Sequence, residues 1–129
     1  MNKMNLAGAL EKFKKEFSSI EKKFRCIELP GIDVAKSTDP DVAKPGVYVW
    51  WNSDKGILKV GRHIKNSRKR ALEHIRDNTG GIMAQPDQGS TTRLLLINVV
   101  NPEDYHWVAA VQIFLERTLN PSIQSKRTG

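Results

Sequence analysis

Pro45-Gly46-Val47-Tyr48-Val49-Trp50-Trp51, followed after a short break by Ile57-Leu58-Lys59-Val60-Gly61-Arg62, decides the fold. Val47 to Trp51 is rich in β-branched and aromatic residues, which suit a pleated, half-buried surface, and Ile57 to Val60 continues as a second strand. Asn52-Ser53-Asp54-Lys55-Gly56 between them supplies turn residues, so the two runs are predicted to pair as an antiparallel hairpin. Side chains alternate along a strand. Tyr48 and Trp50 are therefore expected on one face and Val47, Val49 and Trp51 on the other.

Beyond the hairpin, Asn66 or Ser67 is placed to cap a helix running to about Asn78. Ala71, Leu72 and Ile75 form its apolar stripe. Arg70 and His74, at i and i+4, share a neighbouring strip. Thr79-Gly80-Gly81 ends the helix, and residues 80–91 read as loop. Thr92 to Val100 is a third strand, its Leu94-Leu95-Leu96-Ile97 run predicting burial on both faces. Asn101-Pro102-Glu103-Asp104 is a helix start, with a capping Asn, a first-turn Pro and acids facing the dipole. That helix is predicted to bury Val108, Val111, Leu115 and Leu119 and to stop at Asn120-Pro121.

On the N-terminal side, Leu6, Leu10, Phe13, Phe17, Ile20 and Phe24 recur at spacings of three and four, which predicts an amphipathic helix over residues 4–25. The stripe suits packing on its own domain. A homodimer seam or a partner-binding surface is the second reading of the same spacing. Residues 26–45, with Pro30-Gly31, Asp39-Pro40 and Lys44-Pro45, read as a connector. The fold class is thus α+β: a small three-stranded, mostly antiparallel sheet flanked by helices, with an extra N-terminal amphipathic helix. Residues 1–44 form the helix and connector and residues 45–129 the main domain, the whole being one compact unit.

Composition narrows the function. The 129 residues carry a formal net charge of +7, which favours a polyanion partner, nucleic acid before membrane. Cys26 is the one cysteine, which excludes an intramolecular disulfide and a Cys-based metal cluster. There is neither a run of apolar residues long enough to span a bilayer nor a signal-like apolar core near the N-terminus, so a cytoplasmic protein is expected. The sequence also lacks a zinc-binding His-Glu-x-x-His pair, a phosphate-binding Gly-rich loop and a nucleophile elbow.

Over roughly residues 45–124 the chain resembles the GIY-YIG nuclease superfamily. Gly46-Val47-Tyr48 matches the first motif and Lys59-Val60-Gly61 the second. Arg70 and His74 match the Arg and His of the following helix, and a strand, a helix and a Pro follow in order. The resemblance implies hydrolysis of DNA phosphodiester bonds with one divalent metal, Mg2+ or alternatively Mn2+. It assigns Tyr48 as general base, Arg70 to the phosphoryl charge, and His74 to assist Arg70 or hold a phosphate. Lys59 departs from the usual second Tyr. Some restriction-enzyme members carry Lys there, where it would hold phosphate or depress the pKa of Tyr48. His63 is a further candidate, to orient water or phosphate. Arg62, Lys65, Arg68, Gln124, Lys126 and Arg127 are expected to contact nucleic acid.

The metal ligand departs further. The family glutamate precedes the Pro by about nine residues, which lands on Gln112, and the family Asn lies about twelve beyond it, where this chain has Gln124. A neutral amide binds a hard cation poorly compared with a carboxylate. Glu116, one turn on, is the alternative ligand. Three arrangements fit: Glu116 substitutes, the protein is a weak or inactive member that binds nucleic acid, or position 112 carries a disarming Glu-to-Gln change. A third class of reading makes the N-terminal helix a protein-interaction element.

Overall fold

The structure, a computed structural model, describes residues 4–81 and 92–124. Four strands form one antiparallel sheet: β1 (Phe24–Pro30), β2 (Gly46–Asn52), β3 (Gly56–His63) and β4 (Thr92–Val99), in the order β1-β4-β2-β3. Among the described residues three α-helices accompany it: α1 (Leu6–Glu16), α2 (Ser67–Arg76) and α3 (His106–Leu119). The α+β class stands, with four strands rather than three. No helix among the described residues is long and apolar enough to cross a membrane.

Two corrections fall in the N-terminal third. The helix ends at Glu16 instead of continuing to residue 25, and part of the expected connector is an edge strand, β1, paired with β4 from Phe24↔Val99 to Pro30↔Arg93. The rest of the connector follows the turn chemistry, with short 3-10 turns at Gly31–Asp33 and Pro40–Ala43. Arg25, exposed on β1, ties that segment down through ion pairs to Asp39 and Asp41 at 2.7 and 2.9 Å.

Both faces of the sheet are covered, because neither face of β2 or β4 is polar. Val47, Val49, Val60, Leu95, Ile97 and Val99 pack under α1 and α3. Leu6, Ala9 and Phe13 of α1 are buried there, and Phe17 meets Phe114 of α3 edge-on, with ring centroids 5.5 Å apart. The stripe of α1 thus completes the chain's own core. On the opposite face Tyr48, Trp50, Leu58, Leu94 and Leu96 pack with Ala71 of α2. Each such fully buried apolar side chain contributes about 1.5–3 kcal/mol, so both layers are strongly specified.

Caps settle the helix limits. Asn66 accepts from the Lys69 N–H at 3.0 Å to start α2, and Asn5 accepts from Gly8 at 2.8 Å to start α1. Asn101 caps a 3-10 turn, Pro102–Tyr105, so the α-helix expected there begins only at His106. It stops where Asn120 adopts a left-handed conformation (φ 49°).

Two details of β2 and β3 position the site. The register slips between Trp50 and Trp51: Trp51 opposes Ile57 but Trp50 opposes Lys59, leaving Leu58 as an extra, bulged residue. Lys59 and Gly61 therefore lie on the face of Tyr48. The segment after α3 then covers this edge, with Ser122 and Ile123 donating backbone N–H groups to the Ile57 and Leu58 carbonyls at 3.0 and 2.8 Å.

Candidate functional site

Tyr48 from β2, Lys59 and Arg62 from β3, Arg70 and His74 from α2, Gln112 from α3 and Gln124 beyond it all line one cavity of about 550 Å³. Residues far apart in sequence thus meet where β3 lies between α2 and α3. Three of the lining side chains are cationic, as a site for an anion requires.

Tyr48 is buried, and its hydroxyl lies 2.7 Å from His74 Nε2. The ring sits against Gly61, its cross-strand partner. A Cβ added there would come within 2.7 Å of Tyr48 Cε1 and closer still to the end of the ring. Glycine at 61 is therefore a close-approach residue. The other ring nitrogen of His74, Nδ1, is 2.7 Å from Thr79 Oγ1. Burial, with Lys59 and Arg70 nearby, lowers the His74 pKa to about 4. His74 is therefore neutral at pH 7, with one ring nitrogen donating and the other accepting.

Lys59 is 6% exposed. Burial lowers its pKa; the Glu116 charge opposes that shift and Arg70 adds to it. Arg70, half-buried, donates to Glu73 at 2.9 Å. That bond is the main cause raising its pKa; burial works the other way and Tyr48 adds to the rise. Gln112, 1% exposed, accepts from Arg62 through Oε1 and donates from Nε2 to Glu116 at 2.6 Å.

Not every expected site residue reaches the cavity. His63 is a turn cap: its Nδ1 accepts from the Lys65 and Asn66 N–H groups at 3.2 and 3.0 Å. Lys65 is exposed and outside the lining. Arg68 donates to the Ser37 carbonyl at 2.7 Å. Glu116 lies buried behind Gln112 rather than at the cavity wall. Lys126 and Arg127 fall outside the described residues, as do residues 82–91 of the expected loop and the tail 125–129.

Four wall residues were not anticipated: Asp77, Thr79, Gly80 and Ile123. Thr79 and Gly80 read only as the end of the helix, and Asp77 only as part of it.

A resident Mg2+ fits these donors poorly. The amide oxygen at 112 faces a guanidinium, the nearby carboxylate holds the amide's N–H, and Asp77 at the wall is paired with Arg76 at 2.9 Å. Among the described residues no group of three or more His, Cys, Asp or Glu side chains could hold a metal. No family model, curated protein or solved structure matches the chain.

Proposed function

We propose that this chain is a GIY-YIG-type protein that binds the phosphodiester backbone of nucleic acid, DNA first, and that its hydrolytic side chains are in place while its metal carboxylate is replaced by Gln112. One observation carries the reading: Tyr48, Lys59, Arg70 and His74, the positions that match the nuclease pattern, converge on one cavity, with Tyr48 2.7 Å from His74.

The chemistry follows from that geometry. A tyrosine works as general base only after losing its own proton, and the imidazole within hydrogen-bond reach of the Tyr48 hydroxyl is that of His74. His74 would thus serve Tyr48 rather than assist Arg70. Arg70 and Lys59 would hold the phosphoryl oxygens and stabilise charge that grows on them. A metal supplies phosphate neutralisation and leaving-group stabilisation where a carboxylate holds it. Here position 112, where the resemblance puts that carboxylate, carries an amide.

A second reading, an active nuclease, has its own support in Glu116, whose carboxylate touches Gln112. Plasmid cleavage with Mg2+ or Mn2+ separates the two, using this chain, Gln112→Glu, and Tyr48→Phe in each. The expected result is salt-sensitive DNA binding without cutting by this chain, and cutting by Gln112→Glu that Tyr48→Phe abolishes. Nicking by the unaltered chain that depends on Tyr48 favours the active reading. Absence of DNA binding at low salt overturns both.

A further inference from the structure

Gln112 is fixed at both ends, and only one amide orientation is possible. A guanidinium only donates and a carboxylate only accepts, so Oε1 must face Arg62 and Nε2 must face Glu116. A glutamate here would bring a second carboxylate against Glu116, with both side chains at most 5% exposed. Two like charges that close and that dry repel each other, and Arg62 and Lys59 would have to offset both, where the amide needs no such offset. The neutral amide is therefore the complement of its surroundings, and it also orients Arg62.

Arg62 belongs by register to the Val47 side of the sheet, beneath α3, yet it lines the cavity that holds Tyr48. Its guanidinium has more N–H groups than Gln112 uses. Such a fork suits phosphate oxygens as well as an amide.

We infer that Arg62, held by Gln112, takes the place of a divalent cation in this cleft, so that phosphodiester binding here is metal-independent. The inference rests on the nucleic-acid reading above and adds its cation requirement. A fixed guanidinium neutralises a bound phosphate but provides no open coordination position for a water. The cleft then binds without cutting.

The test has two arms, chosen so that the two failures differ. In the first, Mn2+ alone is titrated into the full-length 15N-labelled chain and paramagnetic broadening is followed by amide NMR. The expected result is no selective broadening around Gln112 and Glu116. Selective broadening there overturns the inference and leaves the nucleic-acid reading intact. In the second, a labelled DNA duplex is bound at matched ionic strength with EDTA or with Mg2+, and followed by anisotropy. Affinity in EDTA is expected to equal or exceed that in Mg2+. Arg62→Met is expected to weaken binding about tenfold in both buffers and to reduce the salt slope by about 1, with Arg62→Lys recovering part of the loss. Binding that appears only with Mg2+, or Arg62→Met binding as tightly as the parent, overturns the inference. No binding in either buffer overturns the nucleic-acid reading and the inference together.

Discussion

Gly61→Ala tests whether the strand pair builds the site as described. The added methyl would enter the volume of the Tyr48 ring, 2.7 Å from Cε1 and closer to the ring's hydroxyl end. The far end of a side chain often swings away cheaply, but this one is 2% exposed and bonded to His74 at 2.7 Å. Overpacking a well-filled core costs about 1–3 kcal/mol. Losing the Tyr48–His74 hydrogen bond adds about 0.5–1.5 kcal/mol. The expected destabilisation is therefore about 2–4 kcal/mol, which for a chain of 129 residues lowers Tm by about 7–15 °C. Urea unfolding at pH 7, followed by tryptophan fluorescence, measures it. A double-mutant cycle with Tyr48→Ala locates the cause, since removing the ring should make Gly61→Ala close to neutral. An equal cost in both backgrounds would refute the steric account, and a loss below about 0.5 kcal/mol would refute the close packing itself.

Three further outcomes are expected. The depressed His74 pKa means that the unfolded chain takes up a proton near pH 6.5 while the folded chain resists until about pH 4. Stability should therefore fall with falling pH across that window, by up to about 3 kcal/mol, and His74→Phe should flatten the slope; denaturation midpoints at a series of pH values measure this. Thr79→Val should change the His74 tautomer balance, because it removes the hydroxyl 2.7 Å from Nδ1; imidazole 15N shifts report it, and Thr79→Ser should restore the parent spectrum. Asn98→Ala should cost about 2–3 kcal/mol by chemical denaturation, because buried Asn98 accepts from Ser67 Oγ at 2.7 Å and donates to the Asp41 carbonyl at 2.8 Å.

Where local patterns matched tertiary surroundings, the fold was legible. The hairpin, α2 and β4 carry strong periodicity or firm caps, and packing reinforced them. The N-terminal third was misread because Phe17, Ile20 and Phe24 continue the helical spacing of α1 although the helix has already ended. In β1, Arg25 is exposed while Ile27 on the same face is buried, so an edge strand paired on one side only showed no clean alternation. At the site, the motif positions Tyr48, Lys59, Arg70, His74 and Gln112 do meet at one cavity. The His74–Thr79 bond was hidden because a turn residue's hydroxyl has no periodic signature. The bond of Arg62 to Gln112 was hidden because it links two elements fifty residues apart.

The bulge at Leu58 acts as a phase selector for the hairpin. A regular ladder continued from Trp51–Ile57 would set Trp50 against Leu58, Val49 against Lys59 and Tyr48 against Val60. Lys59 would then point into the apolar layer beneath α1 and α3, and a valine would take the place of Gly61 beside the tyrosine. One unpaired residue thus decides which side of the sheet carries charge. Deleting Leu58 would leave a regular ladder with Lys59 still opposite Trp50, whereas flattening the bulge with Leu58 retained would exchange the contents of the two faces.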